Sequence, residues 1–305
     1  MTIESLVNKI HDNEGLIASN DGICAILNRS NNLVGYDYLN RIILYIQYKN
    51  AFDVRTAEQW ELDGFNVKKD SKPLYIVKAK YKSKYIRTKT GDIIDDLDLT
   101  PIEINSAIKY GIIHKENCID KVETSCVFDI RQLNLDKDYK DKINRKLSKK
   151  DVINVFKGIT GYTVVESEEN YVSKSRKQLF IKKGTYKEIV ITIANELSTF
   201  FIENSNISID NVDKKFLHKA LIYSIETLFL VDNPTSFIDE ANNDTYKILE
   251  VFNIVDAYMY EINKILYNNN IINNIDSNAE SDYINKVNLI LNIMESNIIN
   301  NKMKG

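Results

Sequence analysis

The sequence predicts an α+β protein of two domains: a mixed helix-and-strand domain over residues 1–135 and a mostly helical domain with a small sheet over residues 151–305, joined by a charged linker at 136–150. Three observations predict it. Helix-spaced apolar residues in TIESLVNKI and YDYLNRIILYIQ give way to strand-forming runs, LYIVKAKYKSKY and CVFDI. The stretch LDKDYKDKINRKLSKK then carries few apolar residues and separates two differently patterned regions. Beyond it come short strand candidates near Tyr171 and at QLFIK, an apolar helix over 189–202, and three further helices after Asp213, one of them TYKILEVFNIVDAYMYEINKIL.

At 305 residues and 44% hydrophobic content the chain can bury a sizeable core. Its formal charge of −3 excludes a globally basic nucleic-acid coat but leaves local patches open. Cys24, Cys118 and Cys126 are an odd number without the tight spacing of a zinc or redox pair, and reduced structural thiols are expected. No apolar run approaches the roughly 18 residues of a membrane span, and MTIESLVNKIHDNEG has no signal-peptide core. A cytoplasmic protein with no membrane partner is expected.

The one strongly basic stretch lies between Asn66 and Thr90: Lys68, Lys69, Lys72, Lys78, Lys80, Lys82, Lys84, Arg87 and Lys89 against the single acid Asp70. If LYIVKAKYKSKY is a strand, period-two alternation puts Lys78, Lys80, Lys82 and Lys84 on one face. Their pitch of about 6.5 Å suits the phosphates of an extended single strand. Single-strand binders add aromatic platforms for stacked bases, and Trp60, Tyr36 and Tyr38 are the candidates. The competing reading is a solvated strand edge guarded by lysines, with the aromatics packed in the core.

Over 186–203 the chain reads YKEIVITIANELSTFFIE, like the helix that carries catalysis in zinc metalloproteases, but with Asn-Glu-Leu-Ser-Thr in place of His-Glu-x-x-His. Two histidines at i and i+4 would have to reach one zinc ion, with the intervening Glu polarising its water. Here Asn195 and Thr199 hold the ligand positions and Glu196 alone survives. The chain has only His11, His114 and His218, so no His-x-x-x-His pair exists. A Gly-x-Ser-x-Gly elbow and a phosphate-binding Gly-x-x-x-x-Gly-Lys-Ser/Thr loop are both missing. The sequence therefore predicts no enzyme, no metal and no cofactor.

In order and spacing, YDYLNRIILYIQ, Trp60, DGFNVKKDSKPLYIV and VFDIRQL resemble the N-terminal domain of the ArdC/LtrC-like antirestriction proteins. That pattern runs Tyr-Ser-x-x-Asn, Gln seven residues on, Trp-x-x-x-Gly, Val-Lys-Lys-Gly-Glu-Lys-Gly-Ile, then Val-Phe-Asp-x-x-Gln. Tyr36, Asn40, Gln47, Trp60, Gly64, Val67, Lys68, Lys69, Lys72, Val127, Phe128, Asp129 and Gln132 match it. Asp37 stands where the family has Ser, and Asp70 and Pro73 where it has Gly. The resemblance implies a single-stranded-DNA-binding domain followed by a zincin-like domain, here a degenerate pseudo-metalloprotease in which Leu221 takes the place of the family's third, acidic ligand.

It further implies a non-catalytic anti-defence protein of a mobile genetic element, plasmid or phage, that occludes DNA. On that reading the DNA-binding residues are Tyr36, Asn40, Trp60, Lys68, Lys69, Lys72, Lys78, Lys80, Lys82, Lys84 and Arg87, and the partner is single-stranded DNA, with duplex DNA left open. The alternative is an interaction protein whose pseudo-protease domain binds and inhibits a host defence protein.

Overall fold

A short polar side chain opens most of the helices. Ser19, Asp37, Thr56, Thr100, Ser148, Thr185 and Asp213 each accept a hydrogen bond from a backbone N–H of the first turn. Four of them form reciprocal capping boxes, Thr56 with Gln59, Thr100 with Glu103, Ser148 with Asp151 and Thr185 with Glu188. Amide donors that a helix start would otherwise leave orphaned are thus satisfied by local sequence.

The computed structural model describes residues 1–28, 33, 36–94, 100–135, 147–204, 213–229 and 245–268. In chain order these form α1 (Ile3–Asp12), α2 (Glu14–Ile17), α3 (Asn20–Leu27), α4 (Tyr38–Gln47), β1 (Val54–Arg55), α5 (Ala57–Leu62), β2 (Leu74–Arg87), β3 (Ile93–Ile94), α6 (Pro101–Lys109) and β4 (Ile113–Asp129). A 3-10 turn over Ile130–Gln132 follows, then α7 (Lys149–Thr160), β5 (Thr163–Ser167), β6 (Tyr171–Ser173), β7 (Gln178–Lys182), α8 (Tyr186–Glu203), α9 (Lys214–Leu228) and α10 (Thr245–Asn268). The class is α+β, as the alternating periodicities predict. The predicted linker at 136–150 lies outside the described residues up to 146, as does the last of the three helices expected after Asp213.

One sheet has the order β1-β4-β2-β3 and the other β5-β7-β6. In the second, β5 runs parallel to β7, pairing Val164 with Leu179, and β6 runs antiparallel to it. The chain divides into two compact units. The described part of the smaller is 1–5, 77–94 and 100–125: the outer lengths of β2 and β4 with β3 and α6. The larger takes in the remaining described residues.

In the larger unit, α4 lays Leu44 on Val54 of β1, Leu74 and Ile76 of β2 and Val127 of β4. A second cluster gathers Trp60, Ile130 and Leu133. Farther along the chain, α8 packs against α7 and α9, and α10 touches α2 and α4 as well as α7 and α9. Tyr38 of α4 meets Phe252 of α10 ring to ring at 6.2 Å, and its backbone N–H donates to the buried Asp256. Helices from before residue 136 and from after residue 146 thus share one core. Cys24, half-buried, and Cys126, exposed, are free thiols.

Candidate functional site

The motif residues are held by hydrogen bonds to backbone. The Tyr36 hydroxyl donates to the Val54 carbonyl at 2.8 Å, and burial pushes that phenol well above its ordinary pKa. The Gln47 amide pairs with β2 as a strand would, donating to the Tyr75 carbonyl at 2.8 Å and accepting from its N–H at 3.0 Å. Asn40 is 4% exposed and lies in the first turn of α4, where its N–H donates to Asp37 at 2.8 Å. Asp37 is thus the N-cap of α4, a place that Asp and Ser both fill well.

Gln132 receives the Asp129 N–H on its Oε1 and donates to the Lys72 carbonyl at 2.7 Å. The Gln132 carbonyl accepts from the Lys68 N–H and the Ser71 hydroxyl. The segment bearing Asp70 and Pro73 is pinned by these bonds and closes without positive φ at either residue. Gly64, with φ of +86°, keeps its left-handed position two turns earlier.

Trp60 is 0% exposed. Its indole N–H donates to the Phe128 carbonyl at 2.9 Å, the Arg55 guanidinium lies 4.4 Å from its ring centre, and Phe65 meets it edge-on. A ring so enclosed has no face for a base, so the stacking role expected of Trp60 does not hold. Tyr36, Tyr38 and Asn40 are likewise committed inside the protein, and these contact residues read from the sequence are architectural.

The basic residues are placed differently. Lys68, Lys69, Lys72, Lys78, Lys80, Lys82 and Arg87 are exposed and Lys84 is half-buried. Lys78, Lys80 and Lys82 share an exposed face of β2, while the exposure no longer alternates from Ser83 to Ile86, where Lys84 lies. The neighbouring strand answers them: Lys80 pairs with Glu123 and Lys82 with Asp120, each at 2.9 Å. The lysines hold both carboxyls below their ordinary range. Between Val77 and Ser125 the sequence holds nine Lys or Arg and eight Asp or Glu, a nearly balanced charge.

A cleft opens beside α8. Its apolar stripe of Ile189, Val190, Ile193, Ala194, Leu197 and Phe201 is buried, and Ser198 donates to the His218 carbonyl of α9 at 3.1 Å. Glu196, Thr199, Phe200 and Glu203, spaced i, i+3, i+4 and i+7, face a cavity of about 150 Å³ closed by Phe156, Thr160, Tyr162, Val172 and Lys174. Phe156, Tyr162 and Phe200 are set edge to face. Lys174 reaches Glu203 at 2.7 Å. Of the two ligand positions only Thr199 lines the cleft; Asn195 donates to the Ile191 carbonyl one turn back at 2.8 Å.

Burial lifts the Glu196 carboxyl, the nearby Glu203 charge adds to this, and Lys174 opposes it. Raised in the folded state, the group favours the fold below its unfolded pKa, and this contribution is lost as pH rises through the folded value. Ionised Glu196 is therefore an energetic cost at neutral pH. His218, whose Nε2 lies 3.4 Å from the Thr199 hydroxyl, is lowered by burial.

Zinc does not fit this donor set. Asn195 offers only a neutral amide oxygen, its NH2 being held by its own helix, Thr199 offers a neutral hydroxyl, and Leu221 is a fully buried hydrocarbon. Among the described residues no three His, Cys, Asp or Glu side chains come together to hold a metal ion. Sequence reading missed Lys174, Tyr162 and Glu203 as members of the cleft. Glu203 was within reach, because it lies two helical turns beyond Glu196.

No family model matches the chain, and no curated protein does. Among solved structures it is similar to the metal-free crystal structure of the antirestriction protein ArdC from the R388 plasmid, at 14% identity and a TM-score of 0.39 over 76% of this chain and 86% of that one. It is also similar to the Mn(II)-bound structure of that protein, at 16% identity and a TM-score of 0.39 over 76% of this chain and 90% of the other.

Proposed function

We propose that the protein is an antirestriction protein that works without catalysis, by stoichiometric binding, and that the cleft beside α8 is its partner site. The observation that carries this is Glu196, a half-buried carboxylate facing a formed cavity on a helix whose would-be ligand positions are an amide and a hydroxyl. Without an electrophile a lone carboxylate is a poor hydrolytic base, but it is a good recognition group. The antirestriction role rests on the residues from Tyr36 to Gln132 that resemble the ArdC/LtrC-like pattern. Purified protein is expected to hold no stoichiometric zinc and to leave an unfolded protein substrate intact. One zinc per chain surviving dialysis, with cleavage abolished by Glu196→Gln, would overturn the reading.

A second reading, single-stranded-DNA binding on β2, is favoured by one feature: Lys78, Lys80 and Lys82 do share an exposed face. The ion pairs of Lys80 and Lys82 are exposed and contribute at most about 1 kcal/mol each, so phosphates can displace the carboxylates. Each phosphate contact adds about 0.7 to the slope of log affinity against log salt for single strands. Replacing Lys78, Lys80, Lys82 and Lys84 by Gln is then expected to flatten that slope by up to about 3 units. An unchanged slope and affinity would leave the row as a solvated, ion-paired strand face.

A further inference from the structure

We propose that the cleft beside α8 is a receptor for the ammonium or guanidinium end of a lysine or arginine side chain from a partner protein. The inference rests on the non-catalytic binding role argued above and gives it a ligand chemistry. The polar lining sets two carboxylates, Glu196 and Glu203, against one fixed cation, Lys174, with the Thr199 hydroxyl and the Asn204 amide beside them; the Thr160 hydroxyl is taken by the Phe156 carbonyl and the Tyr162 N–H. The aromatic rings of Phe156, Tyr162 and Phe200 complete the wall, and aromatic rings beside carboxylates favour an organic cation on an apolar stem.

Lys174 already shows the geometry. Its side chain lines the cavity and its ammonium reaches Glu203 at 2.7 Å, while the less exposed Glu196 carboxylate feels its charge only at longer range. Lys174 thus behaves as a resident occupant of half the site. Its pair with Glu203 is exposed, with side-chain accessibilities of 70% and 47%, so a second cation displaces it at little cost. A hard divalent ion suits the cleft less well, since it takes six or more oxygen ligands and would compete with an ammonium for one of only two carboxylates.

Saturation-transfer NMR on the full chain tests this with Nα-acetyl-lysine methylamide, its Nε-acetylated and therefore neutral counterpart, and putrescine. Transfer to the charged lysine probe and none to the neutral one is expected. Glu196→Gln should weaken the charged probe by about tenfold or more, and Lys174→Met should strengthen it several-fold by vacating Glu203. The Gln variant removes the neutral-pH cost of a buried charge and should melt no lower than wild type at pH 7, which separates lost binding from lost fold.

Equal transfer to the charged and neutral probes, or a charged-probe affinity unmoved by Glu196→Gln, would sink the proposal. Tighter binding of putrescine than of the lysine probe would also overturn it, assigning the site to free polyamines. If the probes fail while the protein still holds no zinc and cleaves nothing, the cation site falls and the non-catalytic reading stands.

Discussion

Trp60→Ala is expected to cost about 3–5 kcal/mol of stability, the range for truncating a large buried aromatic. The side chain is fully enclosed by Ile130 and Leu133, with Phe52, Phe65, Val67, Phe128 and Leu135 around them. Its removal empties the middle of a cluster that joins α5 to the end of β4. It also strips the Phe128 carbonyl of its donor and the Arg55 guanidinium of its aromatic partner. Domains have only about 5–15 kcal/mol in total, so urea unfolding should show a large fall in midpoint. Trp60→Phe keeps most of the volume and loses the indole N–H, for an expected cost of about 1–2 kcal/mol. Any loss of DNA affinity should follow the unfolded fraction. If Trp60→Ala melts like wild type yet loses single-strand binding at an unchanged salt slope, the indole stacks on a base in solution and its place in the core is wrong.

Local pattern carried part of this structure and could not carry the rest. The alternation in LYIVKAKYKSKY is strict, so the exposed face of β2 was legible; so was the helix over 189–202, found as α8. The partners of the lysines were not. Lys80 meets Glu123 and Lys82 meets Asp120, and a register between strands some forty residues apart leaves no local trace. β4 was read only over 126–130, because its charged half lacks the apolar alternation that marks a strand. The sole tryptophan reads equally as a core residue or as a platform, and only the Phe128 carbonyl placed to receive its N–H decides between them. In the cleft, i, i+3 and i+7 spacing brings Glu196, Thr199 and Glu203 onto one face. Tyr162, just before β5, and Lys174, in the turn after β6, arrive through tertiary packing, which a one-dimensional pattern does not contain.

The second large effect is expected at Asp129, which shows why the VFDIRQL stretch is distinctive. The residue is 0% exposed and ends β4. One carboxylate oxygen accepts from the Phe52 N–H at 2.6 Å and the other from the Arg131 N–H at 3.0 Å, while its own N–H is held by Gln132. Asp129→Ala removes a charged acceptor and strands two donors, each costing about 1–3 kcal/mol, for a total of about 2–6 kcal/mol. Asp129→Asn keeps one carbonyl oxygen and should lose roughly half as much. The damage should spread, because Gln132 also ties the Lys72 carbonyl and its own carbonyl receives the Lys68 N–H. Hydrogen exchange is therefore expected to quicken at Phe52, Arg131 and Lys68 together. If single-stranded DNA uses Lys68, Lys69 and Lys72, loosening this segment should also lower affinity below the melting temperature, without the slope change that removing their charges would give. Unchanged exchange at Lys68 in Asp129→Ala would show that the carboxylate caps its own turn and does not hold the basic segment in place.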